Sequence, residues 1–519
     1  MKATLIKPLL LWLNKDNRLC LFDFSFLTVI ILSAMRKVPE EEILKRLRVD
    51  NPWWKNRNNV RWKKYPERVY LTPFFELVYR KKINRAIVLM GPRRVGKTVM
   101  VHQAIAKLIK EKVPPRRILY VSLDNPLYSG LWLEKILLMF SELNSLTQKE
   151  RCYVFFDEIQ YLGDWERHLK SLVDSYPQHR FVATGSAAAA LKLKSNESGA
   201  GRFSDFTLPP LTFYEYIRFS DTNKKSPFLQ KDGSFEPRIL EKIEDLNNEF
   251  INYINFGGYP ETVFLKDARE NPRFVKDDII DKVLLRDLPS LYGIQDIAEL
   301  NRLFVTLSHN TGQEVDLPGI SQDSNVSKDT ILRYLEYLEA AFLIKRVNRV
   351  DRSVRKFKRN HTFKVYLRNA SMYPALFGSV SKSNKAVLGR LVETAVFSHF
   401  FHFAEYLNPH YARWKNGEVD LIIMDVLGKP IQAVEIKWSN RPLENPSQLK
   451  ALLSFGEKNQ LSSSKKLICC TLTKLDSRTY GNKEIVFCPT SFFCLLYGQS
   501  LESPEFRKAL IGPSIKGEN

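Results

Sequence analysis

The residues best suited to chemistry lie in a glycine-rich segment that follows a short apolar run, Ala86 to Met90. The segment has the pattern G-x-x-x-x-G-K-T and consists of Gly91, Pro92, Arg93, Arg94, Val95, Gly96, Lys97 and Thr98. Glycines let backbone N–H groups approach phosphates, the lysine reaches the β and γ groups, and the threonine hydroxyl can bind Mg²⁺. The pattern predicts a phosphate-binding loop at the N-terminus of a helix, whose dipole favours an anion.

A second apolar run, Tyr153 to Phe156, ends in two carboxylates, Asp157 and Glu158. Asp157 is expected to hold Mg²⁺, and Glu158 to orient and polarise an attacking water. The pair favours hydrolysis over simple nucleotide binding. A third run, Phe181 to Ala183, ends in Thr184, which would place a hydroxyl beside the γ-phosphate.

These groups need strands to deliver them. Four apolar runs are too short for helices and are bounded by turn residues: 86–90, 118–123, 153–156 and 181–183. Helical patterns at 99–112 and 131–143 separate the first three. Alternating β and α segments at this spacing predict an α/β fold with a parallel sheet and crossover helices.

In combination these motifs resemble those of a P-loop ATPase of the AAA+ superfamily, of the prokaryotic type that carries a C-terminal DUF4143 region. Three further segments are similar to that group's signatures: Gly201-Arg202-Phe203, Leu211 to Tyr216, and Gly257 to Pro260. The resemblance covers roughly residues 51 to 500 and implies ATP and Mg²⁺ as cofactors. Assembly into a homo-oligomer is an expectation from the superfamily. Arg202 is the candidate transition-state arginine, in cis or from a neighbouring subunit; alternatively it forms a salt bridge that fixes its loop.

Residues 297–350 resemble a winged helix-turn-helix, with one helix, a turn-rich segment and then a second helix. Ser327 is the predicted N-cap of that second helix. Apolar residues recur along the helix at Ile331, Leu335, Leu338 and Phe342. The other face would offer Lys328, Arg333 and Tyr337 to DNA.

Positive charge is concentrated next to this segment. The chain carries a net charge of +22, which favours polyanions as partners. Between Lys345 and Arg368 there are ten Lys or Arg residues and one acidic residue, Asp351. A wing that neutralises DNA phosphates would have this composition; a solvated charged hairpin is the alternative. A smaller basic and tryptophan-containing stretch, 53–64, could stack on bases or pack as a strap on the next domain.

The C-terminal part contains a candidate nuclease centre. A strand at 417–423, a turn and a returning strand at 431–437 would place Glu435 and Lys437 on one face, near Asp420. Glu393 lies on the preceding helical pattern. Three carboxylates could bind one or two Mg²⁺, and the lysine could orient water. The set is similar to that of PD-(D/E)XK nucleases; the alternatives are a domain that binds without cutting or a salt-bridged hairpin.

The cysteines and the N-terminus bear on location. Six cysteines without a C-x-x-C pair suit neither a disulfide framework nor a zinc site, so we expect buried thiols in the cytoplasm. The apolar run Leu19 to Ala34 contains Asp23 and is shorter than the ~20 residues that span a bilayer. A membrane partner is therefore not expected. Met35 is an alternative start, in which case residues 1–34 are not translated.

The expected organisation is an N-terminal extension, an ATPase core, a helical segment, a winged helix with a basic wing, and a nuclease-like DUF4143 region. The corresponding ranges are 1–50, 51–225, 226–296, 297–370 and 371–519. The expected function is ATP binding and hydrolysis by a protein that acts on DNA or is recruited to it, with Mg²⁺-dependent cutting left open. The alternative is a nucleotide-dependent switch or scaffold whose C-terminal domain does not cut.

Overall fold

A computed structural model describes most of the chain. The described ranges are 38–80, 84–147, 149–185, 201–220, 226–265, 270–294, 296–354, 362–403, 407–461 and 466–511. The apolar run Leu19 to Ala34 and the middle of the basic segment, Arg355 to Arg359, lie outside them. None of the described helices is long and apolar enough to cross a membrane.

The first sheet has five strands in the order β2-β3-β4-β1-β5, all parallel. They are β1 (Ala86–Met90), β2 (Ile118–Ser122), β3 (Tyr153–Asp157), β4 (Arg180–Gly185) and β5 (Phe203–Thr207). The four predicted strands and the parallel α/β fold are confirmed. β5 was not predicted, because Ser204 and Asp205 interrupt its apolar residues.

Helices cover both faces of this sheet. They are α1 (Glu40–Asp50), α2 (Leu71–Tyr79), α3 (Lys97–Lys110), α4 (Leu133–Leu143) and α5 (Trp165–Ser175). Alternate residues of β1 enter different cores: Ile87 and Leu89 pack on one side, and Val88 and Met90 on the other. A strand that is buried on both faces reads as a continuous apolar run, which is why the sequence predicted β1 well.

The tryptophans of the N-terminal strap pack on this domain. The indole N–H groups of Trp53 and Trp54 both donate to the Ile118 carbonyl, at 3.2 and 2.8 Å. Trp62 lies edge-on to the His102 ring, with centroids 4.8 Å apart. These contacts agree with the interpretation of the stretch as a strap that packs on the next domain.

Helix α6 (Phe213–Ser220) follows the first sheet, and the helical segment comes next. That segment contains α7 (Ile243–Phe256), α8 (Pro260–Phe264) and α9 (Glu270–Phe274). Two stretches of π-helical backbone follow at Val275–Asp281 and Val283–Asp287, and α10 (Leu288–Tyr292) ends the segment. π-helical backbone is rare and is often found at functional sites.

Three helices and three strands come next. They are α11 (Ile297–His309), β6 (Glu314–Asp316), α12 (Leu317–Ser324), α13 (Lys328–Ala340), β7 (Ile344–Val350) and β8 (Thr362–Leu367). The Ser327 side chain accepts from the Thr330 N–H, so the predicted N-cap of α13 is confirmed. α12 lies where the sequence predicted only turns. Its turn-forming residues are instead the helix boundaries, with Pro318 in the first turn and left-handed Asn325 at the end.

Strands β6, β7 and β8 belong to a second sheet, which has nine strands in the order β13-β14-β12-β11-β10-β9-β7-β8-β6. The remaining strands are β9 (Asn408–Trp414), β10 (Gly417–Met424), β11 (Pro430–Glu435), β12 (Leu467–Thr471), β13 (Asp476–Tyr480) and β14 (Lys483–Pro489). The helices of this region are α14 (Met372–Phe377), α15 (Lys385–Phe400), α16 (Arg441–Glu444), α17 (Lys450–Lys458), α18 (Thr490–Ser500) and α19 (Pro504–Ile511).

The parts expected at 297–370 and 371–519 share this second sheet. β7 pairs with β9 in parallel, with Arg349 opposite Tyr411 and Val350 opposite Ala412. An edge strand has unpaired backbone groups that recruit another strand, and β9 satisfies those of β7. The two ranges contribute strands to one continuous sheet, and the division at 370/371 stays a prediction.

Candidate functional site

The glycine-rich loop connects β1 to α3 at the C-terminal end of the first sheet. A Cβ atom on Gly91 would lie 2.2 Å from the Leu208 carbonyl oxygen. Gly96 has φ +93°, a conformation that side chains rarely adopt. Both glycines are therefore required by the backbone path of the loop.

Lys97 is the first residue of α3, and its side chain turns back over the loop. Its Nζ donates to the carbonyl oxygens of Gly91 and Pro92, at 3.0 and 2.8 Å. Burial lowers the pKa of this lysine, although the nearby carboxylates of Glu158 and Asp157 oppose the shift. The ammonium is positioned at the loop, where the phosphates of a nucleotide would be held.

Asp157 ends β3 and is almost fully buried, with 1% of its surface exposed. Its Oδ2 accepts from the Thr98 hydroxyl at 2.8 Å and from the Tyr120 hydroxyl at 2.7 Å. Carboxylate and hydroxyl oxygens are ligands that suit Mg²⁺. The Thr98 and Asp157 side chains therefore fit the predicted metal-binding role. Tyr120, which belongs to the neighbouring strand β2, was not predicted at this site.

Glu158 adopts a left-handed conformation with φ 54°. Its backbone N–H donates to the Thr184 hydroxyl at 3.2 Å, and its carboxylate accepts from the Gln160 amide. Burial raises the pKa of Glu158. Such backbone strain is found at functional sites, and here it turns the carboxylate away from the strand direction at the edge that carries the loop.

Thr184 is buried in β4, and its hydroxyl donates to Asp157 Oδ1. It holds the two carboxylate residues together, since it also accepts from the Glu158 N–H. A contact between Thr184 and a γ-phosphate stays a prediction.

Arg202 lies at the opposite end of the sheet. Its carbonyl accepts from the N–H of Ala86, the first residue of β1. The five-residue strand β1 separates it from the glycine-rich loop, about 16 Å at the rise of a β-strand. Its guanidinium pairs with Asp174 at 2.5 Å. The role in cis is therefore wrong, the salt-bridge alternative agrees with the structure, and a role in a neighbouring subunit stays a prediction.

A buried ion pair supports the loop from behind. Arg68 donates from Nε to Glu215 Oε1 at 2.6 Å and from one terminal nitrogen to the Val95 carbonyl at 2.9 Å. Its other terminal nitrogen reaches the Pro209 carbonyl at 2.9 Å. Glu215 also accepts from the Thr212 N–H. Sequence reasoning noted Glu215 only as part of a family signature and missed Arg68, since 147 residues separate the two.

The G-G-Y-P turn lies on the other side of the loop. A Cβ on Gly258 would be 2.4 Å from the Asn369 amide oxygen, and Gly258 also accepts from the Leu211 N–H. Pro260 begins α8, with its ring 3.8 Å from the position of a Cβ on Gly96. The turn packs the helical segment directly against the loop.

The two loop arginines bind carboxylates of that helical segment. Arg93 forms a bidentate pair with Asp287, with both hydrogen bonds at 2.7 Å. Arg94 bridges Glu261 and Asp278, at 3.1 and 3.2 Å. The hydrogen bond with Asp287 raises the pKa of Arg93, so this guanidinium is always charged. No sequence pattern predicted these partners.

The predicted nuclease residues lie at the middle of the second sheet. β10 and β11 are antiparallel as predicted, with Leu421 opposite Val434. Lys437 Nζ lies 2.7 Å from Glu435 Oε1 and 3.5 Å from Asp420 Oδ2. The structure therefore brings Asp420, Glu435 and Lys437 together.

Glu435 is the most perturbed carboxyl of this cluster. Its Oε2 is buried without a hydrogen-bond partner. Burial, reinforced by the Asp420 carboxylate, raises the pKa of Glu435 to about 8. An unpaired buried carboxylate oxygen beside a second carboxylate is a feature that a cation would relieve.

Glu393 is paired with residues of β8. On α15, its Oε1 accepts from Lys364 Nζ at 3.1 Å and from the Tyr366 hydroxyl at 2.7 Å. Lys364 also pairs with Glu418 at 2.9 Å. Among the described residues, no group of three or more His, Cys, Asp or Glu side chains could hold a metal ion. The three-carboxylate arrangement is therefore corrected to the pair Asp420 and Glu435, with Glu393 paired to Lys364.

The candidate DNA-binding face differs from its prediction in one residue. Lys328 and Arg333 are exposed on α13. Tyr337 is half-buried, because its ring stacks on Tyr292 with centroids 3.9 Å apart. Tyr337 therefore connects α13 to the helical segment and is removed from the predicted face.

Six of the ten basic residues between 345 and 368 are described, and each contacts the protein. Lys345 and Arg346 pair with Glu339, and Arg349 and Arg352 donate to carbonyl oxygens. Lys364 binds the acidic residues noted above, and Arg368 stacks on aromatic rings. The other four are Arg355, Lys356, Lys358 and Arg359, outside the described residues. Five cysteines are described; all are free and buried, as predicted.

Three family models match successive parts of the chain. Residues 83–217 match an AAA domain, residues 247–383 match a domain of unknown function, DUF8612, and residues 388–491 match a second one, DUF4143. The AAA and DUF4143 resemblances are confirmed. The DUF8612 match, which was not anticipated, covers most of the helical segment and the region through β8.

Relatives with similar sequences extend over most of this architecture. An uncharacterized protein of Methanocaldococcus jannaschii is 27% identical over 384 residues, which are 71% of this chain and 79% of that protein. An uncharacterized protein of Haemophilus influenzae is 25% identical over 281 residues, 53% of this chain and 65% of that protein.

Solved structures overlap less closely. A replication initiator DnaA bound to AMPPCP and single-stranded DNA covers 52% of this chain and 86% of its own, at 15% identity and a TM-score of 0.25. The overlap is too low to assign a function. Residues 83–217 match an AAA domain, and they contain the glycine-rich loop and the five parallel strands of the first sheet.

Proposed function

We propose that this protein binds ATP with Mg²⁺ at the C-terminal edge of the first sheet and hydrolyses it. The observation that carries the proposal is the contact between the Thr98 hydroxyl and the Asp157 carboxylate, with Lys97 and Glu158 at the same edge. The four side chains come from the start of α3 and the end of β3, two elements that meet at this edge of the sheet.

The geometry supports a role for each of these groups. The N–H groups of the loop and the N-terminus of α3 would bind the phosphates, and Lys97 would exchange its loop carbonyls for β- and γ-phosphate oxygens. Thr98 and Asp157 would hold Mg²⁺, which neutralises developing charge on the phosphates. Glu158 would orient the attacking water, and its raised pKa makes the carboxylate a better proton acceptor.

The test is ATP turnover by the full chain. Lys97→Ala should abolish hydrolysis, because no other described side chain at the loop offers an ammonium to the β- and γ-phosphates. Lys110→Ala is the matched control, since this exposed lysine ends the same helix. Unchanged turnover in Lys97→Ala would refute the site assignment.

We further propose that the C-terminal half acts on DNA. The order helix, strand, helix, helix, strand, strand from α11 to β8 supports a winged helix-turn-helix. Lys328 and Arg333 are exposed on α13, the helix that would enter the major groove. Fluorescence anisotropy with duplex DNA at several salt concentrations tests this. Lys328→Ala with Arg333→Ala should lower the slope of log affinity against log salt by about two, whereas Lys45→Ala with Lys135→Ala should not.

Mg²⁺-dependent DNA cutting is the more specific candidate for the DUF4143 region. The Asp420, Glu435 and Lys437 cluster and the unpaired Glu435 oxygen support it. Asp420→Asn and Lys437→Ala should each abolish cutting while ATP turnover is retained. If the unaltered protein leaves linear, branched and single-stranded DNA intact with Mg²⁺ and Mn²⁺, this activity is refuted.

A non-cutting switch or scaffold is the alternative, and one observation favours it: Glu393 pairs with Lys364 and does not join the other carboxylates. In that case ATP would control assembly or partner binding, and hydrolysis would reset the state. Measuring the ATPase rate with and without duplex, branched and single-stranded DNA distinguishes the switch from an ATPase that acts on DNA. A slow rate that DNA does not change favours the switch.

A further inference from the structure

We infer that Asp287 is an additional residue of the nucleotide site, which holds Arg93 of the glycine-rich loop until the phosphates of ATP displace it. The inference rests on the proposed binding of ATP at this loop. The contact between Arg93 and the helical segment would then depend on whether nucleotide is bound. Binding of ATP would be sufficient to break it, without hydrolysis.

The contact between Arg93 and Asp287 has the geometry of an anion-binding site. Nε and one terminal nitrogen of Arg93 each donate to a different oxygen of Asp287, both at 2.7 Å. The side chains are 19% and 12% exposed, so the pair is largely shielded from water. A guanidinium fork that fits a carboxylate in this way also fits a phosphate.

The pair between Arg93 and Asp287 lies at the glycine-rich loop. Arg93 is two residues after Gly91, within the loop whose N–H groups face the phosphates. Asp287 also lies close enough to Lys97 to raise the pKa of that lysine, in opposition to burial. Phosphates at the loop would compete with the Asp287 carboxylate for the Arg93 guanidinium.

The far end of the same segment contacts the candidate DNA-binding helix. Asp287 immediately precedes α10, and α10 ends at Tyr292, whose ring stacks on Tyr337 of α13 at 3.9 Å between centroids. Five residues of helix rise about 7.5 Å. The short helix α10 therefore connects Asp287, where Arg93 would be released, to the contact with α13.

The test compares isosteric variants in the full chain by titration with a fluorescent ATP analogue without Mg²⁺. Asp287→Asn should bind the analogue about five-fold tighter, the affinity equivalent of about 1 kcal/mol for a single ion pair. Asp281→Asn is the control, since this residue lies on the same segment but pairs with Lys276 at 2.6 Å. In an Arg93→Gln background, Asp287→Asn should have no effect on affinity.

Each outcome decides the inference. Tighter binding in Asp287→Asn alone, lost in the Arg93→Gln background, supports it. Unchanged or weaker binding of the analogue by Asp287→Asn overturns the inference. Equally tight binding by Asp281→Asn also overturns it, because removal of any negative charge from this segment would then have the same effect. Failure of the unaltered protein to bind the analogue would instead refute the proposed ATP site.

Hydrogen exchange tests the connection to α13. The ATP analogue should increase amide exchange in residues 283–292 of the unaltered protein, and Asp287→Asn should show that increase without nucleotide. Equal exchange of residues 283–292 in the unaltered protein, with and without the analogue, and in Asp287→Asn would overturn the inferred loosening of this segment.

Discussion

The buried pair between Arg68 and Glu215 predicts a strong and local dependence of stability on one carboxylate. Glu215→Gln keeps the size of the side chain and removes its charge. The Arg68 guanidinium would then stay buried, with 4% of its side chain exposed, and keep only neutral carbonyl partners.

The magnitude follows from that burial. Breaking one partner of a buried ion pair costs about 3–5 kcal/mol, because the remaining charge is uncompensated. For a domain of about 150–250 residues each kcal/mol lowers the melting temperature by about 2–4 °C. The expected decrease is therefore about 6–20 °C for the cooperative unit that contains the first sheet.

Circular dichroism during heating measures this decrease, and titration with an ATP analogue reports on the loop. Because Arg68 also holds the Val95 carbonyl, Glu215→Gln should weaken nucleotide binding as well. Glu67→Gln is the control, since that carboxylate pairs with Lys107 at 3.0 Å but is 49% exposed. An exposed pair of this kind contributes at most about 1 kcal/mol. Equal melting temperatures for the two variants would refute the structural role of the buried pair.

Three further predictions test other contacts. The His399 ring accepts from the Phe213 N–H at 2.9 Å, and burial lowers its pKa to about 4. The folded protein therefore keeps this ring neutral where the unfolded chain gains a proton, below pH ~6.5, and its stability should fall as the pH drops from 6.5 to 4. Between pH 7 and pH 4.5, His399→Gln should lose about 2–3 kcal/mol less free energy of urea unfolding than the unaltered protein. Gly91→Ala would place Cβ 2.2 Å from the Leu208 carbonyl and should abolish binding of the ATP analogue, whereas Gly163→Ala, with open space around it, should not. Lys364→Met would leave Glu393 without its ammonium partner and should cost about 3–5 kcal/mol in urea unfolding. A cost below 1 kcal/mol would contradict the ion-pair assignment.

The sequence predicted those features that local patterns determine. β1 and β3 are buried on both faces and read as apolar runs, and the loop residues follow from the chemistry of phosphate binding. The Asp420 and Glu435 pairing also followed from strand period and one short turn. In each case the residues concerned are close in sequence or lie on one regular element.

Contacts between distant segments could not be predicted in this way. Arg68 and Glu215 meet only after the sheet has folded, and Asp287 reaches Arg93 across 194 residues. Lys364 was counted as one of many wing charges, although it is buried between carboxylates. Tyr337 had the spacing of an exposed residue but is covered by Tyr292 from a different helix.

The most direct test of the central claim separates ATP binding from hydrolysis at Glu158. Glu158→Gln keeps the shape of the side chain, its left-handed backbone and its place beside Asp157, and removes the carboxylate that would orient water. In a single-turnover experiment with Mg²⁺, this variant should bind ATP as well as the unaltered protein and fail to release phosphate. Normal phosphate release by Glu158→Gln would contradict the account.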